Sequence, residues 1–310
     1  MNLLLPSTGR RVSLIKRFRQ AAKNLSLDLK IVGIEVYENT PSLHFCDAFE
    51  IVPRMDDTSF ADSLNQVLEK HEIEFILPGS DLDLKYFLDH PLKKNIKILD
   101  SRESMRLFLS KSESSKFFKE NGLQVSEIYD YENVLEFPCV LKEDLGYGSV
   151  NQFKVNSQSE LDTFIDKLDK PFIQKWVTGK EYTIDVFSDK SSKIINILAR
   201  VRDKVRAGVS DVGHVEMNKK LINLILSINQ KFNLQGPWNI QCIESKGEFY
   251  FLEINPRFSG GIPLTIEAGL DFCQNLLEWA SGQKITKFEI KRPNLTMMKY
   301  ESEFYLDGSN

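Results

Sequence analysis

Within the stretch Phe249–Phe258, FYFLEINPRF, the residues Glu253, Asn255 and Arg257 stand at alternate positions behind an aromatic and aliphatic run. The run reads as a buried strand, and a strand's period of two sends those three side chains out of one face. Pro256 falls on the other parity and suits the end of a strand. A carboxylate, an amide and a guanidinium among apolar neighbours need partners, because unpaired buried charge is costly. A solvated edge strand is one explanation. The other is a site for a hard cation and a phosphate, since carboxylate and carbonyl oxygens suit Mg²⁺ and arginine suits phosphoryl oxygens.

Upstream, the segment from Trp238 to Glu244 is a second strand candidate, and Glu244–Gly247 supplies a turn before the Phe249 run. Antiparallel pairing across that turn brings Gln241 beside Glu253 and Asn255, so three oxygen donors converge. The string NIQCIESKGEFYFLEINPRFSGG, residues 239–261, resembles the metal-binding hairpin of the ATP-grasp superfamily, in particular the carbamoyl-phosphate-synthase large-subunit type. The resemblance implies that Gln241, Glu253 and Asn255 hold one or two Mg²⁺ ions, with Mn²⁺ as a substitute. Many other members of the superfamily carry an acid where Gln241 stands.

The same resemblance gives roles to earlier segments. Lys142 ends the strand-like run Phe137–Lys142 and matches a lysine that contacts ATP phosphates. The following loop, with Gly146, Tyr147, Gly148 and Ser149, matches a lid whose backbone N–H groups face an anion. A plain hairpin is the other reading, and Glu143 replaces a common proline. Lys111 occupies the place of another phosphate-facing lysine, although Ser110 replaces the usual acid and an ordinary surface lysine explains it equally. Gln174, Lys175, Trp176 and Val177 resemble the hinge whose main chain meets adenine. Glu181 would then accept from the ribose hydroxyls, as an acceptor-only carboxylate can. In Arg200, Arg202, Lys204 and Arg206, cations at every second position suggest one basic strand face, either solvated or aimed at phosphate and the acceptor carboxylate. Arg202 is the first choice there and Arg206 the second. Arg257 and Arg202 are the catalytic candidates.

These residues need a scaffold. Residues 2–6, 29–34, 47–53, 74–78 and 96–99 read as strands, and 11–24 and 60–71 as helices. Such alternation argues a parallel α/β sheet. The first strand-to-helix turn, Thr8–Arg11, holds a single glycine, which is no GxGxxG fingerprint and argues against a nicotinamide oxidoreductase. Loops at this turn and at Pro78–Asp83 lie where open sheets bind ligands, although Ser80 and Asp81 also suit a helix cap. Helices are expected at 101–109, 112–121, 216–232, 263–269 and 271–281. Four histidines match no ligand spacing. The fold class is therefore α/β and α+β: a Rossmann-like domain over residues 1–104, then a two-lobed ATP-grasp fold over 105–310. Its lid covers about 123–178 and its metal-bearing part about 179–310.

The chain has 310 residues, 42% hydrophobic and 27% charged, with a formal net charge of −4. That balance supports neither a nucleic-acid nor a membrane-surface partner. No apolar run reaches membrane-spanning length. Four scattered cysteines without a CxxC pair fit a reduced, cytoplasmic compartment. The resemblance implies an ATP-dependent, ADP-forming ligase that joins a small-molecule carboxylate to an amine through an acyl phosphate; a homodimer is compatible with it. Phosphorylation of bicarbonate or carbamate, and a silent nucleotide-binding protein, are the alternatives.

Overall fold

The computed structural model describes residues 1–92, 96–98, 102–145, 151–206 and 208–306. The lid residues Gly146, Tyr147, Gly148 and Ser149 therefore lie outside the described residues, as do 307–310. In the first third, strands alternate with helices: β1 (Asn2–Pro6), α1 (Val12–Asn24), β2 (Lys30–Glu35), β3 (Ala48–Ile51), α2 (Phe60–Lys70), β4 (Phe75–Ile76), α3 (Asp81–Asp89) and β5 (Lys97–Ile98). The strands pair in parallel in the order β3-β2-β1-β4-β5. The order reverses at β1, and such a reversal opens a crevice outside the carboxyl ends of the strands. The turns after β1 and β4 meet there: Ser7 Oγ donates to Asp83 Oδ1 at 2.8 Å. Ser80 and Asp83 form a capping box that starts α3.

Two helices, α4 (Arg102–Leu109) and α5 (Lys111–Glu120), lead to a small antiparallel lobe. It contains β6 (Ile128–Tyr129), β7 (Cys139–Glu143), β8 (Gln152–Val155), α6 (Gln158–Ile165) and β9 (Pro171–Lys175), with strand order β6-β9-β7-β8. Its own core holds Tyr129, Cys139, Leu141, Leu161 and Ile173.

The rest is built on a six-stranded sheet. Its elements are β10 (Lys180–Ser188), β11 (Ile194–Arg206), β12 (Val209–Val215), α7 (Lys219–Ser227), α8 (Asn229–Phe232), β13 (Gly236–Ser245), β14 (Glu248–Asn255), α9 (Ile262–Glu267), α10 (Phe272–Ser281) and β15 (Thr296–Met298). The strand order is β14-β13-β10-β11-β12-β15. One face of this sheet buries Tyr182, Ile184, Ile240 and Cys242 with Phe118 of α5 and Leu221 of α7. On the other face, Phe187 and Leu198 share a core with Phe258, Phe272 and Trp279, and that core continues into Leu3 and Phe18 of the N-terminal unit. Phe18 meets Phe258 edge-on at 6.0 Å, and Phe75 meets Trp279 in the same way at 6.0 Å. Each such ring contributes on the order of 1.5–3 kcal/mol by leaving water, so this seam is a structural joint rather than a loose contact.

Two sequence expectations need correction. The apolar stripe over 216–232 is interrupted: α7 starts at Lys219, where Asn218 caps the Leu221 N–H, and ends at Ser227, with Ile228 between it and the short α8. Glu216 instead binds Lys180 and Tyr182 beside the sheet. The basic run is not one face, because pairing shifts between Arg202 and Lys204 and again between Lys204 and Val205. Arg200 is consequently buried and Arg206 exposed. The tail, unassigned from sequence, adds β15 to the edge of β12. All four cysteines are free, and no helix among the described residues is long and apolar enough to cross a membrane.

Candidate active site

The hairpin β13–β14 turns at Lys246–Gly247, both with positive φ, the geometry of a tight two-residue hairpin. A shift in pairing between Gln241 and Cys242 then sets Gln241 opposite Glu253 and Asn239 opposite Asn255. On β10 and β11 the same alternation sends Glu181, Thr183, Arg200 and Arg202 to the same side, where all of these residues line one cleft of about 650 Å³. That size suits a small-molecule ligand. The cleft runs from the small lobe, with Lys142, Gln174 and Trp176, across the sheet to Arg11 and Asp81 of the N-terminal unit.

The three proposed metal ligands are close neighbours. Asn255 Nδ2 donates to Glu253 Oε1 at 3.0 Å, and Gln241 Oε1 accepts from Arg202 Nη1 at 2.7 Å. Arg202 also donates to Glu181 Oε1 and to the Gly208 carbonyl at 2.8 Å. Burial pushes the Glu181 carboxyl up; Arg202 pulls it back and Glu253 adds to the rise. The donor set is one carboxylate and two amides, all oxygen, which fits a hard cation such as Mg²⁺. No group of three His, Cys, Asp or Glu residues able to hold a metal occurs among the described residues, so a softer-metal site is not formed here.

Lys142 is almost fully buried, with its ammonium 5.5 Å from the Phe172 ring centroid. Burial, with Lys111 as a like charge, lowers it to about 8 against the pull of Glu253 and Asp144. Lys111 sits at the start of α5, where Asp144 binds the Ser112 N–H at 2.7 Å and the Ser110 hydroxyl at 2.8 Å; Lys111 Nζ reaches the Asp144 carbonyl at 3.3 Å. A chain acid from the lid strand's end thus stands where sequence showed none before Lys111.

In the hinge, Gln174 is buried and its amide reaches Ser115. The Lys175 N–H donates to Glu127 O and the Trp176 N–H to Pro138 O, leaving the Val177 N–H as the one of these three without a partner among the described residues. Lys154 lies over the Trp176 ring at 4.8 Å. A Cβ on Gly179 would meet the Glu244 carbonyl oxygen at 2.0 Å, so only glycine lets the hinge press onto β13.

Arg257 is not free in the cleft. Its Nε and Nη2 each bind an oxygen of Asp81 at 2.7 Å, and Nη2 also reaches Asn255 Oδ1 at 3.1 Å. Burial lowers the Arg257 guanidinium pKa, but Asp81 and other acids outweigh that and leave it raised. Arg206 points away and pairs with Glu301 at 2.8 Å.

Arg11, Arg200 and Asp185 are not singled out in the sequence, although Arg11 stands in the first turn and Arg200 in the basic run. Arg200 Nε donates to Asp185 Oδ2 at 2.9 Å and Nη2 to Ser259 Oγ at 2.9 Å, with both ions at most 2% exposed. Thr265 Oγ1 donates to the same Asp185 oxygen at 2.6 Å. Among the described residues, Arg200 Nη1 and Asp185 Oδ1 have no hydrogen-bond partner. The signal was the parity of Arg200 with Arg202, and of Asp185 with Glu181.

Comparison with known proteins bears on the fold. Residues 168–303 match the family model described as ATP-grasp in the biosynthetic pathway with Ter operon, and residues 3–98 match the PylC-like N-terminal domain. The chain thus carries an ATP-grasp domain over residues 168–303 and a PylC-like N-terminal domain over residues 3–98. It is similar to the carbamoyl phosphate synthase large chain of Thermoanaerobacter sp. (strain X514), 28% identical over 228 residues, covering 64% of this chain but 21% of that one. It is also similar to the D-alanine–D-alanine ligase of Fusobacterium nucleatum, 24% identical over 159 residues, covering 47% of this chain and 55% of that one. Among solved structures, the biotin carboxylase domain dimer of the Hydrogenobacter thermophilus 2-oxoglutarate carboxylase, in complex with MgADP, ADP and bicarbonate, superposes with a TM-score of 0.74 at 16% identity. That match covers 91% of this chain and 70% of the other.

Proposed function

We propose that the protein is an ATP-dependent, ADP-forming ligase that activates a small carboxylic acid as an acyl phosphate and transfers the acyl group to an amine. The observation that carries this reading is the cross-strand set Gln241, Glu253 and Asn255, sharing one cleft with Lys142, Arg202 and Glu181. Residues 1–104 would form one wall of the cleft, the lid at 123–178 its roof, and 179–310 its floor. Gln241, Glu253 and Asn255 would hold Mg²⁺, which when bound offsets charge on the β- and γ-phosphates. Lys142 and Lys111, with the lid backbone at Gly148 and Ser149, would carry the phosphates. Gln174 to Val177 would edge the adenine, and Glu181 would take the ribose hydroxyls.

Phosphoryl transfer leaves the protein mainly positioning and charge compensation to supply. Arg202 and Arg257 are the cations for the γ-phosphoryl group and the acceptor carboxylate. A carboxylate oxygen attacks the γ-phosphorus as the bond to ADP breaks. The amine then attacks the acyl carbon and phosphate leaves. A lid over the cleft keeps water from that labile acyl phosphate. Four free cysteines suit a cytoplasmic setting.

The test is ADP release with Mg²⁺ and pools of carboxylic and amino acids. The expected result is release that depends on one acid. Tight nucleotide binding with no acid-dependent release from any pool would overturn the reading. Bicarbonate belongs in the same screen as the second reading, supported by the bicarbonate in the similar carboxylase structure and by the synthase likeness around Gln241.

A further inference from the structure

At the end of the cleft remote from the hinge, Arg11 stands without an acid paired to it among the described residues. Arg11 caps the N-terminus of α1, lines the cleft and is half-buried. Among the described residues its guanidinium makes no hydrogen bond or ion pair, while each nearby acid is engaged elsewhere. Asp81 is bidentate on Arg257. Asp83 accepts from Ser7, from the Ser80 hydroxyl and from the Gly79 and Ser80 N–H groups. Asp185 is taken by Arg200 and Thr265. Burial, with Arg257 as a like charge, lowers Arg11 to about 10. The first turn of α1 contains no acid and no side-chain cap, so the positive end of the helix dipole adds to the same corner.

Two further cations border it. Arg200 keeps Nη1 without a partner beneath Gly261, where a Cβ would lie 2.4 Å from the guanidinium carbon. Lys299, brought in behind β15, donates to the Gly260 carbonyl at 2.9 Å. Burial holds the Lys299 ammonium below the ordinary lysine range, with Arg200 and Arg11 as like charges against the pull of Asp211. The corner also lies at the reversal point of the parallel sheet, between the turns after β1 and β4, where open sheets receive ligands. None of Arg11, Arg200 and Lys299 is needed for nucleotide or metal in the reading above.

We propose that the corner bounded by Arg11, Arg200 and Lys299 is an anion subsite. It takes a second negatively charged group, a carboxylate or a phosphate, on the acid that the cleft activates. This deepens the ligase reading and rests on it for the word substrate, but the subsite itself is a binding statement. The reacting carboxylate lies toward Arg202 and Glu253; the second anion lies toward the N-terminal unit. The substrate class is therefore a dianionic acid, with Arg11 as the residue that distinguishes it from a monoanionic one.

The binding test uses the full chain saturated with Mg²⁺ and a non-hydrolysable ATP analogue, which fills the nucleotide phosphate positions. Inorganic phosphate and succinate are titrated separately by calorimetry at constant ionic strength. At least one should bind saturably, with Arg11→Gln weakening it about tenfold or more, Arg11→Lys recovering part of the loss, and the affinity for the analogue unchanged. Phosphate or succinate identifies the preferred anion by which one shows this Arg11 dependence. Equal affinity in Arg11→Gln, or no saturable binding of either anion by the unsubstituted chain, overturns the proposal. A chain that binds the anion through Arg11 yet releases no ADP with any acid would sink the ligase reading alone. Where ADP release is found, Arg11→Gln should raise KM for a dianionic acid and leave kcat, and the KM of its monoamide, unchanged; a loss shared equally by both acids counts against the subsite.

Discussion

Arg257 and Asp81 meet in a bidentate pair, two bonds of 2.7 Å, across 176 residues of chain. Asp81 opens α3 of the parallel-sheet unit, and Arg257 follows directly on the strand that carries Glu253 and Asn255. The pair therefore aligns one wall of the cleft with its floor. Both side chains are mostly shielded, at 15% and 17% exposed, and two parallel charge-assisted bonds hold orientation as well as distance. A double-mutant cycle with Asp81→Asn and Arg257→Gln, read by urea unfolding, should show a coupling of roughly 1–3 kcal/mol. Additive effects would mean that the two groups merely lie near each other.

Glu253→Gln should abolish ATP turnover, with kcat lowered about a hundredfold or more, while the circular dichroism spectrum is retained. Glu253 is the one acid of the oxygen trio, so its charge, rather than its shape, is what the substitution removes. Undiminished ADP release by this variant would remove the metal site from the account.

Lys142 gives a pH signature with a defined sign. Burial lowers its folded-state pKa to about 8, from the 10.5 of an ordinary lysine. The folded form therefore binds fewer protons than the unfolded form between those values, and Lys142's contribution to stability improves as pH rises through that window. Below pH 8 the buried ammonium carries a penalty of roughly 3 kcal/mol. Lys142→Met should thus raise the melting temperature at pH 7, and the gain should shrink as pH rises toward 10.5. The same variant should bind ATP more weakly at pH 7, and the rise of ATP KM above pH 8 in the unsubstituted protein should flatten. A lower melting temperature for the variant at pH 7 would contradict the burial cause.

Gly261→Ala should lower stability by roughly 1–3 kcal/mol through overpacking. Its new methyl group would meet the Arg200 guanidinium, which Asp185 and Ser259 hold in place. A urea midpoint that drops at unchanged slope is the expected reading. An unmoved midpoint would show that Arg200 can settle elsewhere at no cost.

The parts of the site set by local rules were legible in the sequence. Period two put Glu253 and Asn255 on one face, but the turn alone would set Gln241 opposite Leu252, and it is a shift in pairing between Gln241 and Cys242, not announced by the sequence, that sets it opposite Glu253. The parallel sheet followed from alternating patterns. What depended on distant partners was not legible. Nothing near Arg257 in sequence announces Asp81, and nothing near Lys111 announces Asp144. Bulges after Arg202 rotate the basic run, so equal spacing hid one buried cation and one exposed one. The stripe over 216–232 kept its helical period through Ile228, but a side-chain cap at Asn218 decided where the helix starts.

The two hydrophobic seams described above differ in extent. The N-terminal sheet and the metal-bearing strands share one large core through Phe18, Phe258 and Trp279, whereas the lobe carrying Lys142 relies on a separate small one. Heat should accordingly dismantle the molecule in stages, the small lobe giving way first and the remainder melting as a single block. In a calorimeter that order would appear as a minor low-temperature shoulder, and ligands gripped by both lobes would merge it into the main peak.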